Sequence, residues 1–217
     1  MKNVLKILIF LLVIFALSYF FFFKGQPFKK EEKIEPQMEK IEKPGKKAVM
    51  IIAFRNFRDV EYFLPKEILE KGGIEVKTAS NKKGIAIGAD GGEAEIDLLV
   101  SEISISDFDA IVFVGGPGCL EALDNQESYR VAQEAVSQNK VLASICISPV
   151  ILAKAGVLKG RKATVWSSPF DKGPIKILKS NGAIYEEKPV VIDGKIITAN
   201  GPAAAKDFGE AILKALK

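Results

Sequence analysis

The sequence predicts an α/β fold: a three-layer sandwich of a mostly parallel sheet with helices on both faces, preceded by one transmembrane helix. Three observations lead there. Residues 47–54, 109–114 and 141–145 are dominated by apolar, often β-branched side chains without polar alternation, the pattern of strands covered on both faces. Segments of helical spacing lie between such runs, so strands and helices take turns along the chain. Ahead of them, residues 7–23 carry no polar side chain besides Ser18 and the Tyr19 hydroxyl. As a helix this stretch would reach about 26 Å, close to a bilayer's hydrocarbon thickness.

From the N-terminus, residues 1–3 read as a short tail and 4–23 as the membrane anchor, with Val4 and Leu5 extending the apolar run. Lys2, Lys6 and Ala16-Leu17-Ser18 also resemble a cleaved signal peptide. Cleavage after Ser18 would leave Tyr19 and Phe20 to Phe23 on a soluble N-terminus, whereas an anchor buries them. No cysteine follows the run to take a lipid. Residues 24–46 mix Lys and Glu around Pro27, Pro36 and Pro44 and read as a charged flexible tether. Residues 47–217 make up the folded domain. Six lysines follow the apolar run within 20 residues, and a positive-inside count would keep the domain in the cytoplasm. A short Lys-bearing leader before a long domain points the other way, and the balance tips to an extracytoplasmic domain on a single-pass anchor.

Within the domain, 47–54 is the first strand. A helix over 59–71 follows, capped by Asp59, stopped by Gly72-Gly73 and interrupted or begun by Pro65. Residues 74–79 return as a strand, 84–92 as a hairpin or edge excursion around Asp90-Gly91-Gly92, and 96–100 as a short strand. Strand 109–114 runs into Gly115-Gly116-Pro117-Gly118, after which helical spacing covers 120–139 with a break near Asn125. Strand 141–145 leads through Cys146 into a helix from Val150 to Gly156. Residues 161–166 read as a strand, 174–181 as a helix, 189–198 as a hairpin turning at Asp193-Gly194, and 202–216 as a closing amphipathic helix.

Lys and Arg number 9 against 5 Glu over residues 1–46, and 22 against 22 acidic groups over the rest, so the net +4 resides in the N-terminal segment. A neutral domain without a basic stripe offers no electrostatic footprint for nucleic acid, and the tether's lysines suit anionic lipid head groups better. No histidine is present, and two cysteines cannot build the usual zinc sites; no metal or cofactor is expected. The Gly-x-Gly-x-x-Gly phosphate cradle is absent from the strand ends.

Sites in such sheets gather at the carboxyl ends of the strands. Four segments end there: 55–61, 115–119, Cys146 and 166–170. Cys146 sits where a strand becomes a helix, a turn that pushes its side chain out of the sheet and places free helix N–H groups beside it, conditions that favour a thiolate. An inert, buried cysteine is the alternative. Trp166, Ser167, Ser168 and Arg55 are candidates for the pocket, with Tyr62 and Phe170 as further aromatic walls. Arg55 and Arg58 are candidates for holding a substrate carboxylate.

Four segments, in order, resemble the ThiJ/PfpI superfamily, a flavodoxin-like fold related to class I glutamine amidotransferases. They are Phe57-Arg58-Asp59-Val60-Glu61 before Pro65; Asp109-Ala110-Ile111-Val112-Phe113-Val114-Gly115-Gly116; Ser144-Ile145-Cys146-Ile147-Ser148-Pro149; and Thr198-Ala199-Asn200-Gly201-Pro202. The resemblance implies that Cys146 is the nucleophile or oxidisable thiol, that Glu61 is its hydrogen-bonding carboxyl, and that backbone N–H groups of Gly115, Gly116 and Ile147 are oxyanion donors. It also implies a homodimer or higher homo-oligomer.

Family members resembling proteases or glyoxalases carry a histidine after the cysteine, where Ile147 stands, or from the loop placed at 166–169. Neither is present here, so peptide hydrolysis lacks its neutral-pH base. Chemistry that needs a thiol, a carboxyl and N–H donors survives. The first reading is glyoxalase- or deglycase-type action, as a lyase or hydrolase, on a small reactive aldehyde or a glycated substrate. The others are a redox or carbonyl-stress sensor acting through Cys146 oxidation, and a non-catalytic tethered scaffold. Cys119, three residues past Gly116, is a candidate resolving thiol; the alternative is that it packs under the Gly-rich turn.

Overall fold

A computed structural model describes residues 45–217. The anchor at 4–23 and nearly all of the tether at 24–46 lie outside the described residues, among which no helix is long and apolar enough to cross a membrane. The first strand, β1 (Lys47–Ile51), is buried after Lys47 and pairs in parallel with β3 (Glu75–Ser80) on one side and β7 (Ala110–Phe113) on the other. With β6 (Leu98–Leu99), β8 (Val141–Ile145), β11 (Val190–Asp193) and β12 (Ile196–Ala199), they form a seven-stranded sheet in the order β11-β12-β8-β7-β1-β3-β6. All its pairings are parallel except β11 with β12, the hairpin expected at Asp193-Gly194. The central strands present alternate side chains to two separate apolar layers, which is why their sequences show continuous apolarity.

One layer is closed by α1 (Asp59–Lys71) and α6 (Ala205–Leu216). These helices meet closely because Gly209 has no side chain: a Cβ there would stand 2.9 Å from Cα of Pro65. Pro65 lies inside α1 rather than in its first turn. The opposite layer is closed by α3 (Gln126–Ser137), α4 (Pro149–Lys154) and α5 (Gly173–Ser180). The break near Asn125 is real: α2 (Cys119–Leu123) ends there, and the Asn125 side chain accepts a hydrogen bond from Ser128 N at 3.1 Å to begin α3.

Three local expectations need correction. Asp59 does not cap α1; Arg58 occupies the cap position, and the Asp59 carboxylate instead accepts from Asp90 N at 2.8 Å and Gly92 N at 2.6 Å. The first strand ends at Ile51, and a short strand β2 (Arg55–Phe57) joins β4 (Gly84–Gly88) and β5 (Glu93–Ile96) in a separate three-stranded sheet. Thus the 84–92 segment does form a hairpin, but outside the main sheet. The expected strand 161–166 contracts to β9 (Lys162–Ala163), paired with a strand absent from the sequence reading, β10 (Ile184–Tyr185).

Candidate active site

The carboxyl ends of β7, β8 and β12 finish level with one another, with Phe113 opposite Ser144 and Ile145 opposite Ala199. Cys146 follows β8 at once, in the left-handed region with φ 64°. A residue with a Cβ pays for that conformation, so the surroundings must hold it there. Its N–H donates to Ala199 O and its carbonyl accepts from Trp166 N, both at 2.8 Å. Behind the turn, Ser148 is fully buried; its Oγ accepts from Ile145 N at 3.1 Å and lies 2.9 Å from the Phe113 carbonyl, to which it can donate. Ser148 therefore ties the cysteine turn to β7.

The glycines after β7 allow a second backbone segment to approach. Gly116 has φ 119°, and a Cβ there would collide with Arg58 N and Asn56 O. Arg58 N donates to Gly115 O at 3.0 Å and Gly118 N donates to Asn56 O at 3.1 Å, stitching β2 and the start of α1 to this turn. One turn into α1, Glu61 points inward with no accessible surface. A Cβ on Gly115 would stand 2.5 Å from Cβ of Cys146 and 2.7 Å from Oε2 of Glu61, so that glycine lies against both.

Neither Glu61 oxygen makes a hydrogen bond of ordinary geometry to the described residues. Burial raises its pKa to about 7; the nearby Cys146 thiol, the Arg58 charge and the Gly115 N–H temper the rise without reaching good hydrogen-bond geometry. The Cys146 thiol is pushed up to about 12, first by burial and then by the Glu61 charge, with the N–H groups of Gly116 and Ile147 opposing. This reverses the sequence expectation of a thiolate. The helix after the turn has six residues, and desolvation beside a carboxyl outweighs its N-terminal dipole.

A cleft of about 290 Å³ opens beside this pair, lined by Cys146, Ile147, Gly116, Arg58, Leu120 and Trp166 with Pro117 and Pro202. Of the proposed pocket residues, Trp166 belongs to it. Ser167, Ser168 and Arg55 do not line it: Ser167 lies near the Tyr185 hydroxyl, Ser168 Oγ accepts from Asp171 N at 2.9 Å, and Arg55 is exposed over the Phe54 ring. Tyr62 is core, bonded to Thr78 Oγ1 at 2.6 Å, and Phe170 is fully exposed. Cys119 and Cys146 are both free thiols. They belong to apolar layers on opposite faces of the sheet, and burial holds the Cys119 thiol well above its ordinary range. Sequence reasoning missed Ser148, Leu120 and Pro202 as parts of the site. Ser148 and Pro202 stood inside the quoted motifs, but nothing in their spacing gave them a role.

Residues 46–215 match the model of the DJ-1/PfpI family. An uncharacterised protein of Methanocaldococcus jannaschii is 42% identical over 172 residues, covering 79% of this chain and 82% of that one. The deglycase PfpI of Pyrococcus furiosus is 31% identical over 169 residues, covering 78% and 99%. The crystal structure of a ThiJ/PfpI domain protein from Brachyspira murdochii superposes with a TM-score of 0.73 at 35% identity, covering 79% of this chain and 98% of that one. With the parallel sheet order and the strand-to-helix turn at Cys146 already established, these likenesses show that the chain belongs to the DJ-1/PfpI family.

Proposed function

We propose that the domain carries out glyoxalase- or deglycase-type chemistry on small reactive aldehydes or their adducts, with Cys146 as nucleophile and Glu61 as its base. The observation that carries this reading is the buried Glu61 carboxyl, poised at about 7 against the sulfur. A base works best when its pKa lies near the ambient pH, and burial gives this carboxyl the range that imidazole would otherwise supply. The absence of histidine then removes less than the sequence suggested.

In the first step the sulfur bonds to the aldehyde carbon and the carbonyl π pair moves to oxygen. The thiol proton passes to the Glu61 carboxylate and on to that oxygen, giving a hemithioacetal and restoring the carboxylate. Gly116 and Ile147 N–H groups, which face the sulfur, are the donors nearest the developing oxyanion. For methylglyoxal, Glu61 can next take the C1 proton and return it to C2 while the C1 hydroxyl proton passes to the C2 oxygen, leaving a lactate thioester that water hydrolyses to lactate and free thiol. The names of deglycase relatives in Pyrococcus support this substrate class.

Residues 4–23 would hold this activity at a membrane through the 24–46 tether, with the domain outside the cytoplasm and assembled as a homo-oligomer. The deciding experiment measures methylglyoxal consumption and lactate release by the full chain and by Cys146→Ser. Turnover lost in the variant supports the reading. Peroxide-sensitive Cys146 without turnover would favour a redox sensor, and an unreactive thiol a scaffold.

A further inference from the structure

Arg58 is the one charged side chain lining the cleft among the described residues. Its side chain is about two-thirds buried, at 31% exposure, and its Nη1 is held by both carboxylate oxygens of Asp90 at 3.1 and 3.2 Å. Nε and Nη2, which form the other edge of the guanidinium, make no hydrogen bond to the described residues, and that edge is the one that fits a carboxylate with two parallel bonds. The group is also well fixed. Arg58 N is bonded to Gly115 O, and Asp59 clamps the Asp90 turn through Asp90 N and Gly92 N, so the Asp90 carboxylate orients the guanidinium from a braced hairpin. Apart from the Cys146 thiol and the Trp166 indole N–H, the remaining cleft wall is apolar or backbone. A neutral aldehyde has no charge for a guanidinium to pair with, whereas an anionic one finds a single, oriented cation lining the same cleft as Cys146, with its charge felt at Glu61.

We infer that Arg58 captures a substrate carboxylate through Nε and Nη2, so that the cleft selects carboxylate-bearing aldehydes or aldehyde adducts over neutral ones. As a statement about substrate, this rests on the aldehyde chemistry proposed for Cys146. The anion site itself can be tested without turnover. Iodoacetate and iodoacetamide alkylate a cysteine by the same displacement, in which the S–C bond forms as iodide leaves and the thiol proton is given up. They differ in carrying a carboxylate or a neutral amide.

The experiment measures both rates at Cys146 in the full chain by mass spectrometry. The variants are Arg58→Gln, Arg58→Lys and Asp90→Asn. Any effect of Arg58 on the sulfur's own reactivity cancels in the ratio of the two rates. The iodoacetate-to-iodoacetamide ratio should fall about tenfold in Arg58→Gln, as expected for loss of a charge-assisted pair. It should fall less in Arg58→Lys, which keeps the charge but not the fork, and rise about two- to threefold in Asp90→Asn, where the competing carboxylate is gone. A ratio that is the same in all four proteins overturns the inference.

The matching kinetic comparison uses methylglyoxal hemithioacetals of N-acetylcysteine and of its amide. Wild type should prefer the carboxylate adduct, and Arg58→Gln should bring the two kcat/KM values together through KM. Equal values in wild type overturn the substrate preference. Absence of turnover with either adduct, alongside a shifted alkylation ratio, would instead fault the aldehyde chemistry and leave the anion site standing.

Discussion

Replacing Glu61 with Gln should shift relative stability towards the variant as pH rises from 4.5 through 7. The carboxyl ionises at 4.5 in its ordinary state and at about 7 in the fold. Because the folded value is the higher, its contribution to stability is fully present below 4.5 and is lost as pH rises through 7. Each tenfold step between the two values costs about 1.4 kcal/mol, or about 3 kcal/mol in all. Gln cannot ionise, and whatever a buried amide costs at that position is the same at every pH. The gap between variant and wild type should therefore widen by about 3 kcal/mol in the variant's favour from pH 4.5 to pH 8. Urea unfolding followed through the fluorescence of Trp166, the sole tryptophan, reads this directly. A gap that does not change with pH would refute the reasoning, since it would mean that Glu61 titrates alike in folded and unfolded chains.

Two further substitutions test the scaffold of the site. Ser148→Ala removes a buried hydroxyl that joins the cysteine turn to β7 and should cost about 1–3 kcal/mol in urea unfolding; no loss would mean the turn is held without it. Gly116→Ala should cost at least about 2 kcal/mol and lower turnover, because its φ of 119° is strained for alanine and the new methyl meets Arg58 N and Asn56 O. An alanine variant with unaltered stability would show that the β2 segment can back away from the Gly-rich turn.

The main sheet was legible because buried parallel strands write themselves as apolar runs, and 141–145 appears as expected. The short pieces were not. β2, β9 and β10 hold two or three residues each, too few for a period to emerge, and their pairing is decided by neighbours distant in sequence. At the site, the Cys146 turn and the approach of Glu61 followed from motif order, whereas ionisation did not. A sequence shows that a cysteine precedes a helix. It does not show that the sulfur and carboxyl are buried together, and that burial sets both pKa values. Arg55 and Arg58 are both candidates in the sequence, and only Arg58 lines the cleft: Asn56 takes a left-handed conformation at φ 57°, and the neighbouring side chains cannot be assigned to a face by alternation.

The most direct test of Glu61 acting as the base for Cys146 is the pH dependence of methylglyoxal turnover by the full chain and by Glu61→Gln. In wild type the rate should climb with pH through an inflection near 7, as the carboxyl ionises and becomes able to take the thiol proton, and in Glu61→Gln that inflection should vanish along with most of the rate. A wild-type profile that rises only in the alkaline range, and that Glu61→Gln reproduces, would show that the carboxyl takes no part.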